Sequence, residues 1–311
     1  MGSFFDAVAD VFSSSTMYES AFRLGVLLAF AAVGEWIAER SGTLNISVEG
    51  MLLAGAFAAV LGFQIGDSAA IGVAAGAVAG TSVAAAQANL SHRLSANQFV
   101  VGLTLNVLVI GLTGFLDAEW SPGAARSRRL DIPVLSDIPL VGSALFEQAW
   151  PAFLIYVIVP LSWYLMFRTR WGLEVRSIGE NPQAADVTGI HVNKRRRQAL
   201  YLCGLLAGIG GAYFVLGQVG RFQPAMTNGR GYLAIAAVIF GGWTLRGTIA
   251  GCLVFGLADA MRVALPSLGY ELNGALLAVT PYVLALFTML FFAHRTREPA
   301  ALAQPFVRGL K

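Results

Sequence analysis

Long apolar runs recur along nearly the whole chain and limit its fold more than any single motif does. Each is long enough to cross about 30 Å of hydrocarbon as a helix. Only 13% of the 311 residues are charged and the mean hydropathy is +0.66, which excludes an ordinary soluble domain. We therefore predict an all-α, polytopic domain embedded in a lipid bilayer, with about nine transmembrane helices and a range of eight to ten. The predicted spans are 20–38, 49–66, 69–89, 98–117, 150–168, 199–218, 231–245, 247–265 and 275–293.

Two of these runs, 49–66 and 231–245, are short and rich in glycine. Such runs are typical of broken or re-entrant helices that line a cavity, so we expect one in each half of the chain. The stretch that begins at Gly50 resembles the one that begins at Gly231, and a second glycine-rich run follows each. An odd number of spans between two copies would make the repeat inverted, with a site at the interface of the copies. Shared glycine and alanine bias in packed helices is the alternative.

Positive charges fall on alternate loops, the pattern that marks cytoplasmic loops in membrane proteins. This pattern predicts an external N-terminus, a cytoplasmic C-terminus and an extracytoplasmic loop 118–149. Three arginines in that loop oppose the assignment weakly, but acidic residues surround them. Because the cations sit in short clusters beside apolar runs, we expect no nucleic-acid binding. The cations that define the cytoplasmic side are Arg40, His92, Arg93, Arg168 to Arg197, Arg246, Arg295, Arg297, Arg308 and Lys311.

The segment 169–198 lies between two apolar runs and carries a helix signal of its own. Asn181 before Pro182 is typical of an N-cap and a first helical residue, and Gly189 is a typical stop. The basic run 194–197 behind it places this short helix in the cytoplasm. A rigid, capped helix outside the bilayer can transmit displacement from a soluble partner, so we interpret 169–198 as a cytoplasmic coupling loop. An ordinary connector with one helical turn is the alternative.

Three motifs carry a resemblance to a known family. They are Ser41-Gly-Thr-Leu-Asn-Ile-Ser-Val-Glu-Gly-Met51, Ser177-Ile-Gly-Glu-Asn-Pro-Gln-Ala-Ala-Asp186 and Gly229-Arg-Gly-Tyr-Leu-Ala-Ile-Ala-Ala-Val-Ile-Phe-Gly241. Over roughly 20–295 the chain resembles the permease subunits of bacterial ABC importers of the ribose and branched-chain amino-acid group. Within that group it looks most like the nucleoside branch, the second permease of a guanosine or general nucleoside importer.

The resemblance implies that the chain is half of an import pore in the bacterial plasma membrane, paired with a second, homologous permease in a heterodimer. It also implies two cytoplasmic ATP-binding subunits, which hold ATP and Mg, and an extracytoplasmic substrate-binding lipoprotein. The chain itself lacks a Walker loop, since Lys194 precedes Arg195 and Lys311 is the last residue, so we expect no cofactor on it and no enzymatic activity. By the family's pattern, the helix that docks on the ATP-binding subunit comprises Glu180, Asn181, Pro182, Ala184, Ala185, Asp186 and Gly189.

Polar and aromatic side chains within the apolar runs are candidates for the transport path, because polar groups in hydrocarbon usually face a cavity or another polar group. Asn45 and Glu49 flank a glycine-rich restart whose unwound backbone could line a passage; a capping box with Asn45 as the N-cap is an equal alternative. Asn106 could bind a ribose hydroxyl or a base edge, or only a neighbouring helix. Aromatic faces suit nucleobases, although such residues more often pack or face lipid. The path candidates are Asn45, Glu49, Asn106, Gln218, Phe214, Phe240 and Trp243.

Asp259 and Arg262 lie three residues apart on one helical face and are expected to neutralise each other. That pairing weakens the main rival function, an ion-coupled secondary transporter, which needs an ionisable group deep in the bundle. Cys203 and Cys252 both fall in apolar runs, so we expect neither a disulfide nor a metal site. Nucleosides are the first expected cargo, followed by monosaccharides and branched-chain amino acids, and the choice stays open because discrimination belongs largely to the separate binding protein.

Overall fold

The computed structural model describes residues 15–133, 135–139, 141–267 and 298–307, the single positions 279, 283, 286, 287 and 290, and only the backbone of 262–267. Within these residues helices predominate. In chain order they are α1 (Ser15–Arg40), α2 (Val48–Gly66), α3 (Ala69–His92), α4 (Gln98–Trp120), α5 (Gly142–Phe146), α6 (Leu154–Arg168), α7 (Arg170–Glu180), α8 (Pro182–Val187), α9 (Val192–Tyr213), α10 (Arg230–Phe240) and α11 (Leu245–Ser267). A 3-10 turn (Trp150–Phe153) precedes α6, and a π-helical turn (Phe214–Val219) extends α9.

Helix α1 is the central element and packs against α9, α10 and α11. Its residues are apolar on nearly every side, and most of its membrane-length stretch is buried. A helix that is hydrophobic all round belongs inside a bundle rather than at its surface. Phe30 and Trp36 of α1 are accordingly among the largest buried side chains of the protein.

A second packing unit joins α2, α3 and α9 through glycines. A methyl group on Gly76 would lie 2.8 Å from the carbonyl oxygen of Gly55, and one on Gly80 would lie 2.7 Å from the Cα of Gly208. Neither contact is possible for a real side chain, so these backbones approach closely only because the residues are glycine. Small residues serve this purpose between membrane helices in general. The three helices thus form one tightly packed unit beside α1.

Six of the described helices are long and apolar enough to cross a membrane. They correspond to the first six predicted spans. The run 49–66 forms the continuous helix α2, so this run is not itself broken; the irregular backbone lies just before it, at 41–47. We call residues 41–47 the linker segment.

The seventh predicted span, 231–245, does not form one membrane-length helix. It holds α10, whose eleven residues extend only about 16 Å, half the thickness of the hydrocarbon layer. The chain then turns through Gly242 and Trp243, which both have positive φ, before α11 begins. Residues 247–265 lie within α11, and most of the predicted span 275–293 lies outside the described residues.

The all-α prediction misses a small sheet in the loop 118–149. Strand β1 (Arg129–Asp131) pairs antiparallel with β2 (Glu147–Ala149). The same loop is tied to the end of α9, because the Ser127 amide donates to the Leu216 carbonyl at 2.8 Å. Strands of three residues are too short to leave a periodic signal in the sequence.

The loop 169–198 contains more helix than the sequence predicted. Besides the expected α8 it holds all of α7, and α9 begins ahead of the predicted span 199–218. Val175 and Ile178 are buried on one side of α7, and Ile178 belongs to a small core shared with Ala185 of α8. These contacts make the loop a folded unit rather than a connector.

Candidate functional site

The N-termini of α2 and α10 meet inside the bundle, where Glu49 joins them. Glu49 Oε1 accepts from the Gly229 amide at 2.7 Å, and Oε2 accepts from the Gly231 amide at 2.6 Å. A methyl group on Gly231 would lie 2.6 Å from the backbone nitrogen of Glu49, so the two chains touch directly. The first amides of a helix lack partners within the helix and carry partial positive charge. The carboxylate of Glu49, which is 4% exposed, supplies both a partner and the opposite charge.

Asn106 of α4 performs the same role for α2. Its Oδ1 accepts from the Gly50 amide at 2.8 Å, which satisfies an amide in the first turn of α2. Its Nδ2 donates to the Ile46 carbonyl at 2.9 Å and lies 2.9 Å from the Tyr232 hydroxyl on α10. One buried amide side chain therefore ties the linker segment, α2 and α10 together. We call Asn45, Glu49, Asn106, Gly229 and Gly231 the junction.

Asn45 attaches the junction to α1. Its Nδ2 donates to Glu35 Oε2 at 2.8 Å, and its Oδ1 accepts from the Ser47 amide at 3.2 Å. The capping-box interpretation is therefore wrong, because Ser47 rather than Asn45 precedes α2 and Glu49 reaches another helix. Asn45 forms an Asx turn that bends the linker segment into α2.

A second group of contacts surrounds α8. Asn181 Oδ1 accepts from the Ala184 amide at 2.9 Å, and Pro182 is the first helical residue, as the sequence predicts. Gly189 has a φ of +89°, a left-handed conformation suited to a helix stop. Ala185 is buried against the small core, whereas Ala184 is exposed. The helix therefore presents one face outward and anchors the other.

Arg196 connects residues 298–307, and through them α7, to the linker segment. This side chain is 0% exposed, and its Nε donates to the Ser41 carbonyl at 3.2 Å. Its Nη1 donates to the Gln304 carbonyl at 2.7 Å, and Nη2 to the Ala301 carbonyl at 3.4 Å. The Ala301 amide in turn donates to the Gly179 carbonyl at 2.9 Å, at the end of α7. Residues 298–307, which we call the tail strap, are thereby fastened to both the linker segment and α7.

Comparison with known proteins fits this architecture. The family model described as "Branched-chain amino acid transport system / permease component" matches residues 17–293. The chain belongs to this permease family. It is the permease subunit of an ABC transporter, a multi-pass membrane protein and a transport component rather than an enzyme, as the resemblance predicted.

Relatives with named functions match nearly the whole permease. A nucleoside ABC transporter permease protein of Lactococcus lactis is 33% identical, over 91% of this chain and 93% of its own length. A guanosine ABC transporter permease protein of Bacillus subtilis is 31% identical, over 91% and 93%. A putative glucose ABC transporter permease protein of Haloferax volcanii is also 31% identical, over 91% and 95%.

The path candidates of the permease do not form one cluster. Asn45, Glu49 and Asn106 meet at the junction, and Phe214 lies next to it, with the Arg230 guanidinium 4.9 Å from its ring centre. Arg230 also pairs with Asp259 at 3.2 Å. The expected partner of Asp259, Arg262, has a side chain outside the described part of the structure.

The remaining candidates lie elsewhere. Gln218 Nε2 donates to the Arg23 carbonyl of α1 at 2.8 Å, while Phe240 packs against Phe255 of α11. Trp243 lies beyond the other end of α10, where its Nε1 donates to Glu39 and its carbonyl accepts from Trp36 Nε1 at 2.8 Å. The indole of Trp243 is thus buried and hydrogen-bonded rather than lipid-facing.

Sequence reasoning missed two features of the loop 169–198. Arg196 stands in a run of cations and looked like one more topology signal, although it is buried. Val187, at the end of α8, is 88% exposed, an apolar side chain beside the polar residues Asp186 and Thr188. A lone valine between two polar residues, on a short helix outside the predicted spans, is the sequence signal that could have identified Val187.

Proposed function

We propose that this permease forms half of a pore that imports nucleosides into a bacterial cell. The observation that supports this cargo is the near full-length likeness to two permeases named for nucleosides and guanosine. The proposed complex contains two cytoplasmic ATP-binding subunits that hold ATP and Mg, a homologous second permease in a heterodimer, and an extracytoplasmic substrate-binding lipoprotein. The ATP-binding subunits and the lipoprotein supply functions that a chain of membrane helices does not, and the second permease supplies the other half of the pore.

A monosaccharide is the second candidate cargo. The relative from Haloferax volcanii is named for glucose at an identity equal to that of the guanosine permease, so identity alone does not separate the two cargoes. The junction favours neither, because its polar groups already bind one another: Glu49, Asn106 and Asn45 all have partners inside the bundle.

Uptake by host cells that lack this chain tests the cargo. We expect loss of uptake of radiolabelled guanosine, restored by the wild-type gene, with unchanged uptake of labelled glucose. Loss of glucose uptake with normal guanosine uptake would identify a sugar, instead of nucleosides, as the cargo. Equal uptake of both in the deleted and the restored cells would contradict import of either cargo.

We propose that α8 and the residues at its two ends form the coupling helix, and that its exposed residues dock on the ATP-binding subunit. The residues of this element are Glu180, Asn181, Pro182, Ala184, Ala185, Asp186 and Gly189, of which Pro182 and Ala185 are buried within the permease and do not reach a partner. Its geometry supports this role. The helix is capped by its own Asn181, one face is anchored by Ala185, and the outward face ends in Val187. Because Ala185 of α8 shares a small core with Ile178 of α7, a displacement of α8 moves a folded unit instead of bending a loop.

Charge reversal at the end of α7 and within α8 tests the coupling role. Glu180→Lys or Asp186→Lys should leave membrane insertion unchanged and abolish substrate-stimulated ATP hydrolysis by the assembled complex. Gly189→Val should act similarly, because valine is strained at a φ of +89°. Full stimulation in all three variants would remove the coupling assignment.

The proposed route inward from α8 runs through the tail strap and the linker segment to the junction. Arg196 joins the strap to Ser41, and Asn45 joins the linker segment to α1. Thr43 extends this connection to α3, since its hydroxyl lies 3.0 Å from His92 Nε2. The steps from the tail strap inward are hydrogen bonds to buried or part-buried groups, whereas α8 contacts the strap through Phe306, which packs against the small core that contains Ala185.

We also propose the external N-terminus, the cytoplasmic C-terminus, nine crossings and an inverted repeat. In support of the repeat, the starts of α2 and α10 lie against each other, and each helix is followed by a glycine-containing helix that packs against it. Single cysteines test the sidedness: one at the exposed Gln183 should react with a membrane-impermeant maleimide only from the cytoplasm, and one at the exposed Asp137 only from outside. Cys203 and Cys252 are buried, which keeps the background low. Reversed labelling would overturn the topology.

A further inference from the structure

A large open cavity lies where α1 and α6 end and α11 begins. Its volume is about 730 Å³. Because Arg40 is the last residue of α1 and Arg168 the last of α6, the cavity sits at the boundary between apolar helix and polar loop. Its lining includes Arg40, Trp163, Phe167, Glu180, Trp243 and Arg246.

Aromatic side chains form much of the apolar lining. Trp163 and Phe167 lie on α6 and are each 42% exposed, while Trp243 is buried. Two arginines stack on the α6 rings: the Arg168 guanidinium is 5.5 Å from the ring centre of Trp163, and that of Arg176 is 4.9 Å from the ring centre of Phe167. Tryptophan is enriched at membrane interfaces because it combines an apolar body with a polar group.

The charges that face the cavity are mainly positive. Arg40 lies 3.9 Å from Glu180, whose side chain is half exposed, and Arg246 adds a second guanidinium to the lining. Arg168 and Arg176 lie against Trp163 and Phe167, two of the aromatic rings in the lining. The lining therefore holds two guanidinium groups and one carboxylate, and two further guanidinium groups lie on its aromatic rings.

Next to the cavity, α6 presents an apolar surface. Val157, Leu161 and Tyr164 are each more than half exposed and belong to the same helix as Trp163 and Phe167. An acyl chain can lie along this surface while its headgroup occupies the basic cavity. A free anion would gain nothing from that surface.

We propose that this cavity binds the phosphate headgroup of an anionic phospholipid. Arginine suits this ligand because its planar guanidinium pairs with phosphate oxygens, and basic pockets between membrane helices recognise anionic headgroups. Only the choice of leaflet, the cytoplasmic one, rests on the proposed topology. Glu180 lines the cavity and precedes α8 by two residues, so a headgroup that draws Arg40 away from Glu180 would, if the coupling proposal holds, link lipid binding to the coupling loop.

Competitive lipid binding to the purified full-length chain tests the site. The probes are phosphatidylglycerol and phosphatidylcholine with identical acyl chains, counted on the detergent-solubilised protein by native mass spectrometry. We expect selective retention of phosphatidylglycerol. Arg246→Gln should weaken that retention about fivefold, the loss expected for one arginine near an anionic headgroup. Arg246→Lys should retain part of it.

Arg93→Gln is the matched control, because Arg93 is an exposed arginine just after α3 and does not line this cavity. Equal weakening by Arg246→Gln and Arg93→Gln would overturn the site, as would equal retention of the two lipids. Displacement of phosphatidylglycerol by millimolar inorganic phosphate would show that the ligand is a free anion. Loss of the lipid when the ATP-binding subunit is added would assign the cavity to a protein interface and reject the lipid. These readouts require no transport, so failure of the proposed cargo would not affect them.

Discussion

The junction and α8 both use a polar side chain to satisfy the first amides of a helix, but they differ in where that side chain comes from. At α8 the cap is Asn181, three residues before the amide it binds, and the contact is exposed. At α10 the cap is Glu49, 180 residues away from Gly229 in sequence, and the carboxylate is buried. A local cap stabilises one helix, whereas a remote cap also determines how two parts of the chain are placed. The comparison predicts that their removal has different consequences.

The largest effect is expected for Glu49→Ala. It leaves the buried amide of Gly231 without a partner, at about 1–3 kcal/mol, and removes the acceptor of the part-buried Gly229 amide as well. We expect a marked fall in the unfolding temperature of the purified permease, together with loss of uptake. Glu49→Gln keeps one acceptor oxygen and the shape of the side chain. Its unfolding temperature should therefore lie between those of the wild type and Glu49→Ala.

Asn97→Ala is the matched control for this prediction. Asn97 caps α4 locally, with its Oδ1 accepting from the Phe99 and Val100 amides at an exposed position. Its removal should lower stability by about 1 kcal/mol. If Glu49→Ala is no more destabilising than Asn97→Ala, the distinction between remote and local caps is wrong.

Arg196→Met should have the second largest effect. It removes a buried cation and leaves the carbonyls of Ser41, Ala301 and Gln304 without their donor, at roughly 2–3 kcal/mol in total. Because the tail strap is then detached from the linker segment, substrate-stimulated ATP hydrolysis should fall while basal hydrolysis persists. Lys194→Met, at an exposed position two residues away, should change neither the stability nor the stimulated ATP hydrolysis. Unchanged stimulation in Arg196→Met would exclude the strap from the coupling route.

Asn181→Ala tests the same comparison at the local, exposed cap of α8. Loss of this cap should lower stability by only about 1 kcal/mol, because water can replace the side chain at the Ala184 amide. Coupling should nevertheless be impaired, since a frayed α8 no longer presents a fixed surface. Measuring stimulated ATP hydrolysis beside the unfolding temperature separates the two effects. A loss of stability as large as that of Glu49→Ala would contradict the local nature of this cap.

Val187→Ser should have the smallest effect on stability, within about 0.5 kcal/mol, because the side chain is 88% exposed. If the exposed end of α8 contacts the ATP-binding subunit, this variant weakens assembly of the complex without altering the permease alone. Co-purification of the two subunits measures it. Val78→Ser is the control, an exposed valine on the membrane-length helix α3. Normal assembly with Val187→Ser would remove Val187 from the interface.

Short-range features of this chain could be predicted from the sequence. Asn181, Pro182 and Gly189 define α8 correctly because a cap, a first residue and a stop act within a few positions of one another. The apolar runs identify the six long helices for the same reason, since hydropathy is summed over a contiguous window. Both kinds of signal are complete within one stretch of chain.

Long-range features could not be predicted. Glu49 looked like part of its own helix because nothing in the sequence pairs it with Gly231, and Asn45 looked like a cap because its hydrogen bond to Glu35 is made only in the folded bundle. Arg196 is chemically identical to its neighbours, and only tertiary packing determines which arginine of the run is buried. Whether the junction lies on the transport path stays a prediction.

Helix α10 is held at both extremities: Glu49 grips its start, and Trp36 and Glu39 of α1 hold Trp243 just beyond its finish. A helix about 16 Å long that is hydrogen-bonded at both ends cannot slide gradually along its axis. Any axial shift must first break the contacts at one end and then form new ones. This favours a few discrete positions of α10 over a continuous range.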